Sequence, residues 1–147
     1  MRYLVAVAVV LAVPGVLYGQ HQQGAAANVA RADSLTASHE ALGAVRERLR
    51  ELVAAQEAYF VDHQSYTTDL SALELRPRGT GRAQQVVLNV THAGGRAWRA
   101  TGRHAGHLHR SCVIFVGDVN DFPLPVTRAD GRRPTAAQEG EPVCDKP

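Results

Sequence analysis

Three histidines lie within six residues, His104, His107 and His109 in the run HAGHLH. Imidazole nitrogen suits zinc and copper. If Leu108 points inward on a strand, His107 and His109 share the opposite face. A catalytic zinc site, however, takes its ligands from a rigid frame backed by an outer shell of hydrogen bonds. This segment reads as an exposed loop in an arginine-rich stretch, so solvated histidines are the favoured expectation. A small periplasmic metal-binding protein using these three side chains is the alternative. Asp118, Asn120 and Asp121 in GDVNDF supply oxygen donors of the kind calcium takes. The EF-hand pattern needs an oxygen ligand and then glycine where the chain has Phe122 and Pro123. A turn capped locally by Asp and Asn side chains is the better reading. Ser65 and Ser111 stand near His63 and His109 in sequence, but no glycine-flanked serine or paired carboxylate accompanies them. No enzyme activity and no cofactor are expected.

The remaining reactive residues are Cys112 and Cys144, the only two cysteines in 147 residues. There is no C-x-x-C, hence no thioredoxin-type centre, and no C-x-x-C-H for covalent haem. In an oxidising compartment an even count reads as one disulfide. Closing a loop of about 33 residues stabilises by roughly 3–4 kcal/mol on the chain-entropy account. That reading requires export, and the N-terminus supplies it. Met1-Arg2 is a short positive start, and residues 4–17 are almost wholly apolar until Pro14-Gly15 interrupts them. About fifteen apolar residues fall short of the ~20 that cross a bilayer. Residues 1–19 therefore read as a signal peptide cleaved after Gly19. An inner-membrane anchor made of residues 3–18 is the alternative.

Composition sets the outer bounds. The chain is 45% hydrophobic and 20% charged, ordinary for a folded domain. Its net charge of +2 makes nucleic-acid binding a poor default, and Lys146 is the only lysine among its 16 basic residues.

The elements that must hold these residues follow from periodicity. Residues 20–33 are small and polar and read as a linker. Leu35, Leu42, Val45, Leu49, Leu52, Gln56 and Tyr59 then recur at spacings of three and four, with a skipped step at Ser38. That is one apolar stripe on a helix from about 34 to 62, roughly 43 Å long. Arg46, Arg48 and Arg50 fall off the stripe and read as a solvated flank. Thr68 is positioned to cap a short second helix through Leu73. Val86, Leu88 and Val90 alternate on a first strand, and a Gly94-Gly95 turn leads to a second around Trp98 and Ala100. Residues 102–110 read as a polar loop. Cys112 to Val116 is apolar on both faces, as in a central strand, and Pro142-Val143-Cys144 closes the chain. The fold expected is α+β: a long N-terminal helix packed on a small antiparallel sheet, with a C-terminal disulfide loop.

This order resembles the globular part of type IV pilins and type II secretion pseudopilins. The residues carrying the resemblance are Ala55-Gln56-Glu57-Ala58-Tyr59-Phe60, then Tyr66-Thr67-Thr68-Asp69-Leu70 and Leu73. Trp98-Arg99-Ala100-Thr101, Cys112-Val113-Ile114-Phe115-Val116-Gly117 and the stretch from Glu139 to Asp145 follow. The likeness covers about residues 40–145, with 34–147 as the pilin-like domain. The chain departs from that family at its start. It lacks the basic leader, the Gly and the Phe-Thr-Leu-x-Glu type opening, and Gln20 to Gln23 interrupt the apolar run. The resemblance implies a structural or interaction role, an accessory or subunit-like head. The implied partner is another protein, a pilin or a secretion-system component. Nucleic acid is not expected, and a membrane only if the N-terminal segment stays uncleaved. The expected location is secreted or periplasmic.

Overall fold

A computed structural model describes residues 16–76, 81–118, 120 and 122–147. The chain divides into two units, residues 1–34 and 35–147. Helix α1 runs from Val16 to His63. In the first unit the described residues are helical, and the described side chains at 27–34 are exposed. The stretch expected as a linker over 20–33 is therefore helix. Its alanines favour helix, and nothing between Val16 and His63 in the sequence is a proline. The signal-peptide reading at 1–19 and the anchor at 3–18 fall largely on residues outside those described.

In the second unit α1 packs on a four-stranded antiparallel sheet, order β1-β2-β3-β4. The strands are β1 (Val86–Ala93), β2 (Ala97–His104), β3 (Cys112–Gly117) and β4 (Val143–Cys144). The α+β arrangement is as expected, with β4 adding a fourth strand. Leu42, Val45, Leu49 and Leu52 bury against Val86, Val90, Trp98, Ala100, Cys112 and Ile114. The stripe begins later than its periodicity indicates. Leu35 is exposed, and the step at Ser38 is buried. Arg48 corrects the solvated-flank reading. It is buried, and its guanidinium donates to the Glu51 carboxylate and to the carbonyl of Arg76. Position 48 sits beside Leu49 at the edge of the buried face, and a long side chain there reaches the chain beyond the helix.

Two glycines answer to specific geometry. Gly102 faces the helix, and a Cβ there would stand 2.6 Å from Val45 Cγ1. The glycine lets α1 approach the sheet, so β2 continues through Gly102 to His104 where the sequence suggests a loop. Gly117 ends β3 at φ +92°, and a Cβ there would meet the Arg96 carbonyl at 2.0 Å. The expected short helix from Thr68 is a 3-10 turn at Leu70–Ala72. Asp69, rather than Thr68, caps it by accepting the Ser71 N–H at 2.9 Å.

The sheet face turned away from α1 is only partly covered. Ala97, Phe115 and Phe122 form a small second cluster with Leu124 packed on it. Arg99 donates to the Pro123 carbonyl and lies 5.3 Å over the Phe122 ring. Farther along this face Val87 and Asn89 are exposed and Arg103 is half-buried.

Candidate functional sites

The best-organised polar region is the C-terminal closure. β3 and β4 place Cys112 opposite Cys144, and the two are joined as a disulfide. Their side chains belong to the helix-side core, with Leu42 among their neighbours. Because side chains alternate along a strand, Ser111 and Asp145 point to the other face. There the buried Asp145 carboxylate accepts the Ser111 N–H at 2.8 Å, the Ala129 N–H at 3.1 Å and the Asp130 N–H at 2.8 Å. Burial pushes its pKa up. Bonds from Thr127, Asp130, Ala129 and Ser111 outweigh that and hold it below the usual carboxylate value. The Arg128 N–H donates to Ser111 Oγ at 2.7 Å, and the Arg132 guanidinium donates to the Cys144 carbonyl. One carboxylate thus ties the start of β3, the end of β4 and the loop 127–132 into one unit. Sequence reasoning missed Asp145, because its partners lie 15–34 residues away and leave no local pattern.

A second tie joins the end of α1 to the loop that follows. The fully buried Gln56 sits on the apolar stripe, where an amide needs partners. Its Nε2 donates to the Thr67 carbonyl at 2.6 Å, and its Oε1 accepts the Thr67 N–H at 3.1 Å. Beside it the Tyr66 hydroxyl donates to Glu57 at 3.1 Å. Burial first, then this carboxylate bond, pushes the Tyr66 phenol up to about 12.

The histidine run takes a different form from the one its spacing suggests. His104 ends β2 and is buried, followed by a 3-10 turn at Ala105–His107. Leu108 is exposed, so it does not sort His107 and His109 onto one face of a strand. The rings are neighbours, with centroids 5.8 Å apart for His104–His107 and 6.2 Å for His107–His109. Two of the three rings have a nitrogen engaged elsewhere. His104 Nδ1 accepts the Gly106 N–H at 3.1 Å, and His109 Nε2 accepts from Arg110 Nε at 3.3 Å. Among the described residues no group of three or more His, Cys, Asp or Glu is disposed to hold a metal ion.

Of the candidate calcium residues, Asp118 and Asn120 bond to each other. Asp118 Oδ1 accepts both the backbone N–H of Asn120 at 2.9 Å and its side-chain amide at 2.7 Å. That is the local turn the sequence favours. Asp121 lies outside the described residues.

No protein-family model matches this chain, and no characterised protein matches it in sequence. Among the described residues no helix is long and apolar enough to cross a membrane. The disulfide fits an oxidising, extracellular or periplasmic compartment.

Proposed function

We propose that this chain is an exported, non-enzymatic pilin-like head, an accessory or subunit-like component of a pilus or secretion system. The observation that carries the reading is a long N-terminal helix laid on an antiparallel sheet whose last strand is closed by Cys112–Cys144. The blocks at 55–60, 98–101 and 112–117 support it, because they lie on α1, β2 and β3 in that order. Its work is to present surface to a protein partner.

The run of α1 from Val16 favours a second form of the same reading. Gln20 to Gln23 do not break the helix. With residues 3–18 retained as an inner-membrane anchor, the polar Gln20 to Gln23 would lie within α1 rather than end it. The experiment is cell fractionation with N-terminal sequencing of the purified protein. A start near Gln20 in the periplasm or medium supports a freed head. An intact Met1 in the membrane fraction supports the anchored form. An intact Met1 in the cytosol, with both thiols free, contradicts both.

A further inference from the structure

We propose that the outer face of the sheet carries an oxyanion-binding cleft, in which Arg103 and Arg128 clamp a phosphate- or carboxylate-type group. The cleft has a volume of about 390 Å³ and is lined by Thr101, Arg103, Ser111, Val126, Thr127 and Arg128. Its two arginines come from different parts of the fold. Arg103 stands on β2, where the strand pairs on both sides, with Val87 opposite it and Gly102 beside Cys112. Arg128 stands on the loop that Asp145 fixes, its own N–H bonded to Ser111 Oγ. Both side chains therefore start from anchored backbone.

Three other arginines have carboxylate partners. Arg48 meets Glu51, Arg50 meets Glu47 and Glu141, and Arg96 approaches Asp118. Among the described residues no carboxylate pairs with Arg103 or Arg128. Asp145 lies behind the cleft floor, but its oxygens are already taken by the N–H groups of Ser111, Ala129 and Asp130. Two guanidinium groups facing one cleft repel each other unless an anion lies between them. The planar fork of each matches carboxylate and phosphate oxygens. The floor is held by buried Ser111 and Thr127, whose hydroxyls accept the N–H groups of Arg128 and Arg132. The backbone under the cleft is thus held before any ligand arrives. Free anions and a partner's acidic side chain share this chemistry, and the inference does not depend on the pilin-like reading.

The test is calorimetric titration of the full-length, oxidised protein at low ionic strength, with inorganic phosphate in one arm and succinate in the other. Saturable one-to-one binding is expected in at least one arm. Saturation by phosphate alone assigns a tetrahedral oxyanion, and saturation by succinate alone a carboxylate. Arg103→Gln and Arg128→Gln should each weaken binding by roughly tenfold or more, while keeping the melting temperature of the parent. Arg103→Lys, which keeps the charge but loses the fork, should weaken it less. Arg96→Gln, a charge change elsewhere on the surface, should leave it unchanged. No saturation in either arm, or an equal loss in Arg96→Gln, would overturn the proposal.

Discussion

The two faces of the sheet are held by different physics. Toward α1, Val86, Val90, Trp98, Ala100 and Ile114 meet Leu42, Val45, Leu49 and Leu52, and removal of apolar surface from water does the work. On the other face the Phe115–Phe122 cluster covers one end only. At the Ser111–Asp145 end a carboxylate, several N–H groups and a loop make the closure, while Val87 and Asn89 stay exposed. An apolar face tolerates small rearrangements among hydrocarbon neighbours. A hydrogen-bonded closure is directional, so it fails when one central acceptor is lost. Side-chain alternation links the two: Cys112 and Cys144 lie in the helix-side core, while Ser111 and Asp145 build the lock behind them.

The largest effect should come from breaking the apolar face. Leu49 is fully buried, and Leu49→Asp strands a carboxylate with no partner. We expect a loss of more than about 4 kcal/mol in denaturant unfolding, or no folded protein at all.

Next is the polar face. Asp145→Asn replaces an all-acceptor carboxylate with a group half of which is a donor facing donors. A loss of about 3 kcal/mol is expected, on the scale of one or two charge-assisted hydrogen bonds. The pH dependence gives this an independent signature. The folded carboxyl holds its proton less tightly than the unfolded chain does. Its contribution is therefore fully present above the ordinary carboxylate pKa of about 4 and lost as pH falls through the lower folded value. The stability gap between parent and Asp145→Asn should be constant near neutrality and shrink only in acid. A gap that persists unchanged in acid would show that the carboxylate charge is not what holds the loop.

Arg48→Ala sharpens the boundary between the faces. A solvated flank would make it neutral. The bonds to Glu51 and the Arg76 carbonyl make it cost roughly 1.5–3 kcal/mol by thermal or chemical melts. The smallest effect belongs to the exposed Val87, where Val87→Asp should stay within about 0.5 kcal/mol.

The helix-side face is legible in the amino-acid sequence, because burial imprints a period on the order of residues. Val45, Leu49, Leu52 and Gln56 are read directly from spacings of three and four, and all are fully buried. Val86 and Val90 follow from alternation. Less legible are residues whose role depends on something distant. Gly102 looks like a loop residue until Val45 is placed against it. Arg48 looks solvated until the chain at Arg76 comes back beside it. Residues 20–33 look like a linker because they are polar, yet polarity does not oppose helix when alanine is frequent and proline absent. Of the candidate sites, the cysteine pair is legible from count and compartment alone. Asp145 is not, because a hydrogen-bonded lock between residues far apart in sequence has no period. The histidine run shows the converse error, since closeness in sequence places three rings side by side without turning their nitrogens to a common point.

Between the two faces one covalent bond, Cys112–Cys144, ties β4 to β3. The direct measurement is intact-mass analysis of the protein recovered from its own compartment, unfolded without reductant in the presence of an alkylating reagent. The account predicts no added groups, and two once a reductant is included. Two added groups before reduction would contradict it, removing the covalent closure of β4 and the oxidising location with it.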